Sequence, residues 1–507
     1  MIHRFGLLCY FKIIAIFLII SYTNRTLRFN KGVIMEKRVF EIFKELTAIP
    51  RGSGNMEKIS DYCVGFAKKN NLKFMRDNSH NVIIFKDAVA GGIGKEPIIL
   101  QGHLDMVCQK TEDSQIDFNV QGPEIVIDGD FIKAKDTTLG ADNGIAVAMI
   151  MAVLESDSIS HPPIEAVFTT DEEIGMVGAT KLDMSVLKSK RMINLDSEED
   201  DTVTVSCAGG SDFKVFLPLN TETVEGYKVS FKLFGLLGGH SGVDINKNRE
   251  NANVLCGGLL KYLKNTADFR IESINGGDKA NAITPICRLS LVCENSADLI
   301  RGAKECLENI KKEISALEPE FDFSVTDSGF SEYKAFSKEL TENVINLLEQ
   351  SPNGVVAMSK EIEGLVETSL NLGILETMEN MIFFDFALRS NKSVSLRELE
   401  EKLTEIADFL NAKIEISGHY PPWEYKPNSD LQNIYVECFK EQYGVAPKVE
   451  AIHAGLECGV FDEGIKDLTA IAVGPQMYDV HTVKERLSIS STEKFTQLLI
   501  KVLEKLN

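Results

Sequence analysis

The chain has 507 residues, 44% apolar and 25% charged, and its 54 Lys and Arg against 75 Asp and Glu leave a formal charge of −21. Those proportions exclude wholesale disorder, and the length allows roughly two to four domains with real cores. Charge of that sign repels a phosphate backbone on average, so no nucleic-acid partner is expected. The ten cysteines run from Cys9 to Cys458 without a CxxC or a dense cluster. That is the usage of reduced, mostly buried thiols in a cytoplasmic protein, not of a disulfide scaffold.

Residues 5–20 form an apolar run interrupted by Lys12, short of the roughly 20 residues that span a bilayer. Basic residues flank both ends, and Ser21-Tyr22-Thr23-Asn24 offers only a poor small-residue cleavage site. Residues 1–34 therefore read as a leader upstream of the true start at Met35, or as a membrane anchor, and a membrane partner is expected only if they are real. Lys31-Gly32-Val33 is encodable as a ribosome-binding sequence, which favours the first reading. From Met35 the chain becomes an amphipathic helix with Val39, Phe40, Ile42, Phe43 and Leu46 apolar among charges.

Asn81–Phe85 and Pro97–Gln101 read as strands, and Glu124–Ala134 as a hairpin about Asp128-Gly129-Asp130. Asp142–Leu154 reads as a buried helix, with Pro163–Thr169 and Arg191–Leu195 as further strands. This alternation predicts a mostly parallel sheet covered by helices. From about Ser211 the style changes. Strands Tyr227–Phe234, Ile286–Cys293 and Phe321–Thr326 alternate with helices Asn251–Lys264 and Ala297–Leu317, followed by Leu396–Leu410 and Lys413–Ser417. The pattern is that of two split-βαβ units in series. After Pro421-Pro422 come a helix at Leu431–Tyr443, a strand at Leu468–Val473 and a closing helix at Ser491–Leu506. The expected organisation is an α/β catalytic domain, 35–210 and 422–507, interrupted by an inserted α+β lid domain at 211–421.

Four stretches fall where apolar strands end: Gly102-His103-Leu104-Asp105, Gly140-Ala141-Asp142-Asn143, Thr170-Asp171-Glu172-Glu173 and Asn194-Leu195-Asp196-Ser197. Open α/β sheets gather ligands beyond the carboxyl ends of their strands. In an extended HxD the two side chains share a face, so Asp105 can fix the tautomer of His103. Adjacent Glu172 and Glu173 project differently and can do different jobs. Alone, Asp142 is most simply a helix cap and the DEE a solvated turn. Together, five or six oxygen and nitrogen donors suit a pair of divalent ions, zinc first.

Gln101–Lys110 (QGHLDMVCQK), Thr137–Ala146 (TTLGADNGIA), Thr169–Gly178 (TTDEEIGMVG) and Ile193–Glu199 (INLDSEE) resemble the dinuclear zinc exopeptidases related to glutamate carboxypeptidase and tripeptidase. His453–Gly459 (HAGLECG) narrows the resemblance to the aminoacyl-histidine, or cytosolic non-specific, dipeptidases. It runs from about Met35 to the end. The resemblance implies that His103 and Asp196 hold one ion, Glu173 and His481 the other, and that Asp142 bridges them with room for a shared water. Asp105 would orient His103, and Glu172 would be the general base. The last ligand sits in a Gly474-Pro475…His481 context, with His453 as its rival. In the insert, His240 of Gly238-Gly239-His240-Ser241-Gly242 would stabilise the oxyanion, in some dimeric relatives from the opposite subunit. Asn281 and Arg389 would hold the substrate's carboxylate end, and Gly455 would offer backbone. His3, His80, His161 and His419 read as surface or structural imidazoles.

The implied activity is hydrolysis of dipeptides, preferentially aminoacyl-histidine such as β-alanyl-histidine. N-acyl amino-acid deacylation and tripeptidase-type aminopeptidase activity are the alternatives. The implied cofactors are two divalent ions per chain, zinc with cobalt or manganese as substitutes. The substrate is a small peptide, the setting cytoplasmic, and a homodimer is compatible. Because the expected ligands fall in one domain and His240, Asn281 and Arg389 in the other, closure about Gly209-Gly210 and Pro421-Pro422 would complete the site.

Overall fold

The computed structural model describes residues 35–427 and 429–506; the apolar run at 5–20, with its leader and anchor readings, lies outside them. The chain divides into two compact units. One runs to Val205 and adds Lys426–Glu450 and Phe461–Asn507; the other comprises Ser206–Tyr425 and Ala451–Val460. The segment 451–460, which carries His453 and Gly455, thus belongs to the second unit.

The first unit is built on an eight-stranded sheet. Its centre is parallel: Ile164–Thr169, Ile98–His103, Arg191–Asn194 and Thr469–Ala472 lie side by side. Ile164–Thr169 and Ile98–His103 are buried at every position, because strands covered on both faces need continuous apolar runs. Val82–Lys86 and then Lys73–Arg76 extend one edge antiparallel. Thr202–Cys207 and Lys448–Ile452 extend the other. The helix over residues 35–47 buries Val39, Ile42, Phe43 and Leu46, the apolar stripe of its sequence. A four-stranded sheet pairs the hairpin Ile125–Asp128/Phe131–Ala134 with Arg486–Ser488 and Met477–Tyr478. It clamps both ends of the loop that carries His481 and Glu485.

The second unit is a nine-stranded antiparallel sheet. Thr221–Phe234, Ala252–Lys264, Phe269–Gly276, Cys287–Cys293, Ser296–Ile314 and Asp322–Phe336 form a βαββαβ set. Its sheet order is fourth, first, third, second strand. Gly209–Pro218, Lys338–Gln350, Val366–Thr377, Met381–Ser390, Ser393–Phe409 and Lys413–Tyr420 repeat that order. The two sets are nested, not in series, because Gly209–Pro218 precedes the whole of the first set. Its opening Gly-Gly-Ser-Asp resembles a turn, which hides the strand from sequence reading. Gly276 pairs with Leu375 to join the two halves of the sheet. Phe213, Val215, Leu289, Leu291, Phe384 and Phe386 pack with Leu259, Leu299, Leu307, Leu399 and Leu403 of the helices in one core, each contributing about 1.5–3 kcal/mol.

One element of the first unit governs the site. The helix Ala141–Glu155 is buried along almost its whole length, so its amino-terminal N–H groups cannot turn to water. Glu485 receives them: its carboxylate accepts from Leu139 N at 2.8 Å, Gly140 N at 3.1 Å and Ala141 N at 2.7 Å. Gly140 enters the helix at φ 72°, the left-handed region open to glycine. Buried Arg51 supplies the countercharge and donates to Leu104 O at 3.0 Å, Asp105 O at 3.1 Å and the Gly140 carbonyl. Glu485→Ala strands these donors and leaves Arg51 unneutralised. The expected loss is about 3–5 kcal/mol of stability, read as a lowered urea midpoint; an unchanged midpoint would disprove the capping role.

Candidate metal centre and substrate-binding residues

His103 is the last residue of its strand, Glu172 and Glu173 follow Thr169, Asp196 follows Asn194, and His481 lies in the loop after Thr469–Ala472. All four parallel strands therefore deliver a donor at their carboxyl ends, and the helix bearing Asp142 starts among them. Three donor groups result, each with its atoms within 4.8 Å of one another: His103, Asp142 and Asp196; Asp142, Glu173 and His481; and His103, Glu172 and Glu173. Asp142 turns one oxygen to each histidine. Its Oδ1 is 3.0 Å from His103 Nε2, and its Oδ2 is 3.0 Å from His481 Nε2. Asp196 Oδ1 is 3.5 Å from His103 Nε2, and Glu173 Oε2 is 3.0 Å from His481 Nε2.

Neighbouring polar groups fix this arrangement. Asn143 Oδ1 accepts the His103 backbone N–H at 3.1 Å, and its Nδ2 donates to Leu195 O at 2.8 Å. One amide thus ties together the segments bearing His103, Asp142 and Asp196. It fits only because residue 102 is glycine, where a Cβ would stand 2.5 Å from Asn143 Oδ1. Asp105 accepts from Glu172 N at 3.0 Å, Glu173 N at 3.2 Å and Ser53 Oγ at 2.8 Å, while its Oδ1 lies 3.4 Å from His103 Nδ1. The same carboxylate therefore addresses the imidazole and the backbone of both glutamates. The Asp142–Asn143 peptide is cis, and His481 has φ 62°.

The electrostatics describe a site with surplus negative charge. Hydrogen bonds from its ring to the carboxylates of Asp142 and Glu173 push His481 up to about 11, against the effect of burial. Burial alone would lower His103, but Asp196, Asp105 and Asp142 hold it well above the ordinary imidazole range. Burial pushes Asp196 and Glu173 upward, with Asp142 adding to both, and it pushes Glu198 up to about 7. Carboxylates crowded in a half-buried cluster require positive charge. Two imidazoles and several carboxylate oxygens, without sulfur, fit divalent cations of the zinc, cobalt or manganese type.

His453 is in none of the three donor groups. It lies in the second unit, buried, with its ring nitrogens 2.7 Å from Ser369 Oγ and 3.2 Å from Asn391 Oδ1. Burial and the charge of Arg389 hold it down to about 3, a neutral structural imidazole. His161 is buried with Nδ1 against Pro162 O at 2.7 Å.

The second unit places His240, Asn281, Arg389 and the 453–455 segment within one neighbourhood. His240 Nδ1 accepts the backbone N–H of Gly242 at 3.0 Å and of Val243 at 3.3 Å. A nitrogen that accepts two N–H groups carries no proton, so the neutral ring bears its hydrogen on Nε2. Burial and then Arg389 keep His240 below the usual imidazole value, which favours that neutral form. Gly239–His240 pairs with Ala282–Ile283, and Ser241 N donates to Asn281 O at 2.9 Å, which sets exposed Asn281 beside the histidine. Arg389 donates to Tyr420 Oη at 2.8 Å. A Cβ on Gly242 would stand 2.6 Å from His453 O, so the segment leading to half-buried Gly455 packs against this turn.

Sequence reasoning missed Arg51, Asn143, Glu198, Tyr420 and Glu485. Asn143 was discernible beside Asp142 in GADNG, and Glu485 four positions beyond His481. Arg51, after Pro50 and far from every motif, carried no signal.

The profile of peptidase family M20/M25/M40 matches residues 99–505. The cytosol non-specific dipeptidase of Escherichia coli (strain K12) is 34% identical over 474 residues, 92% of this chain and 97% of that protein. The crystal structure of aminoacylhistidine dipeptidase from Vibrio alginolyticus aligns with a TM-score of 0.87 at 34% identity, covering 92% of this chain and 96% of that one. Aminopeptidase PepT from Bacillus cereus, at 14% identity and a TM-score of 0.53 over 93% and 98% of the two chains, shares the fold. Agreement in profile, sequence and fold over most of its length makes this chain a peptide hydrolase of peptidase family M20/M25/M40.

Proposed function

We propose that this peptidase hydrolyses dipeptides, preferentially aminoacyl-histidine such as β-alanyl-histidine, with two divalent cations. One cation is assigned to His103 and Asp196, the other to Glu173 and His481, and Asp142 is shared. The observation that carries the reading is the Asp142 carboxylate, which turns one oxygen to each histidine while Glu172 stands beside Glu173 in a third group. The two relatives at 34% identity support the substrate class: one is named a dipeptidase and the other an aminoacylhistidine dipeptidase. No helix among the described residues is long and apolar enough to cross a membrane. The nine described cysteines are free thiols, which supports a cytoplasmic setting.

Bound cations of this type supply Lewis acidity for the peptide carbonyl and lower the pKa of water. Glu172, on the chain just beyond Thr169 and half-buried, takes the proton of the attacking water on its carboxylate and passes it to the leaving amine. Its backbone is held by Asp105, so its reach is fixed by a hydrogen bond and not by a free loop. The Nε2–H of His240 is a neutral donor suited to a carbonyl oxygen as it gains charge. Arg389 grips the carboxylate of the C-terminal residue, and Asn281 adds an amide.

Glu172→Gln should retain its metals and lose about 10²–10⁴-fold in kcat; near-normal turnover would refute its role as base. Treatment with a chelator should abolish activity, and zinc, cobalt or manganese should restore it. Elemental analysis should then find two ions per chain, and full activity with a single ion would contradict the sharing of Asp142. His240→Ala should lower kcat about 10²–10³-fold with unchanged metal content. A panel of Xaa-His dipeptides against N-acetyl amino acids tests the reaction class, and turnover of the N-acetyl compounds alone would overturn the proposal.

A further inference from the structure

Beside Arg389 the second unit holds charges that none of the roles above uses. On the strand Met381–Ser390, Phe384, Phe386 and Leu388 belong to the core, so Asp385, Ala387 and Arg389 project from the opposite face. Pairing places Arg389 opposite Gly210, Ala387 opposite Asp212 and Asp385 opposite Lys214. On the next strand Tyr420 stands opposite Gly210, Ser417 opposite Asp212 and Glu415 opposite Lys214. Arg389 reaches Tyr420 Oη across the strand at Gly210, whose missing side chain leaves the passage open. Asp212 is the next residue on that face, about 6.6 Å along the strand.

Most charges here have partners. Glu415 is paired with Lys214 at 2.9 Å. Among the described residues the carboxylates of Asp212 and Asp385 make no hydrogen bond or ion pair, though Asp212 feels Lys214 and Arg389, and Asp385 feels Asp212 and Lys214. Asp385 is only 6% exposed, and its Oδ1 lacks any partner. Burial, together with Asp212, pushes it up to about 6. Asp212 Oδ2 lies over Gly418, where a Cβ would come within 3.1 Å. A guanidinium and an unpaired carboxylate are thus neighbours on one sheet face, backed by a second carboxylate that burial leaves unsatisfied. An amino acid presents the complementary pair when its side chain is cationic.

We propose that Asp212, with Asp385 behind it, binds the cationic side chain of the substrate's C-terminal residue while Arg389 holds that residue's carboxylate. The protonated imidazole of Xaa-His is the expected occupant, and lysine shares its chemistry. The inference rests on the dipeptidase reading and adds the group that would make histidine preferred. A purely structural role, in which the two aspartates only balance Lys214 and Arg389, would not distinguish between substrates.

The test compares Gly-His with Gly-Leu on the metal-loaded full-length enzyme. In Asp212→Asn the ratio of kcat/KM for Gly-His to that for Gly-Leu should fall by about fivefold or more, through KM, and Asp212→Glu should recover most of it. A smaller change in the ratio overturns the subsite. Should Asp212→Asn not fold, the unmodified enzyme gives a second readout. Between pH 6 and pH 8 a free imidazole, ordinarily near 6.5, loses its proton, and the ratio should fall over that interval; a flat ratio overturns the subsite. An enzyme that cleaves neither dipeptide overturns the dipeptidase reading itself and the subsite with it.

Discussion

The constraint on which the first unit depends is the carboxylate of Asp142, held between two imidazoles at 3.0 Å each. An anion in that position, flanked by Asp196 and Glu173, is unfavourable unless positive charge is supplied and the backbone around it cannot relax. The surrounding residues meet the second condition. Glu485 fixes the turn before Asp142, Asn143 ties it to two neighbouring strand ends, and Asp105 ties His103 to the glutamates. The clamped hairpin at 477–488 carries both His481 and Glu485, so one loop supplies a donor and the anchor of the donor it faces.

The first unit was legible because its signals are local. Each donor follows a short apolar strand, and strand ends in a parallel sheet converge by geometry. The helix at 141–155 was readable from its small and apolar composition. What stayed hidden were residues whose role depends on distant partners. Arg51 is buried among carbonyls contributed by residues 104, 105 and 140, contacts that no spacing along the chain encodes. The rivalry between His453 and His481 was open for the same reason. Both follow plausible motifs, and only their hydrogen-bond partners separate a neutral imidazole on Ser369 from one among carboxylates.

The nested sheet was the harder reading. A strand that opens with Gly-Gly-Ser-Asp and is separated from the rest of its set by the whole of the other set offers no local cue to its pairing. Its alternating burial, with Phe213, Val215 and Leu217 inward and Asp212 and Lys214 outward, becomes intelligible once Met381–Ser390 and Lys413–Tyr420 flank it. Nesting also explains why Gly210 and Arg389, far apart in sequence, come to face each other: strands one and three of the outer set are neighbours in that order.

These two kinds of legibility separate chemistry from selectivity. In the proposed mechanism the carboxylates and imidazoles at the strand ends act on an amide bond and do not encode which acyl or amino group lies on either side of it. PepT, at 14% identity, shares the fold with this chain, and a shared fold is compatible with several peptide classes. Discrimination must come from groups that meet the parts of the substrate away from the scissile bond. In the second unit the groups proposed for that part arise from register: Arg389 across Gly210 and Asp212 one step along the same face, with Tyr420 beyond Gly210. On the proposed assignment, a single substitution on that face would alter which dipeptide is favoured and would touch none of His103, Asp142, Glu173, Asp196 and His481.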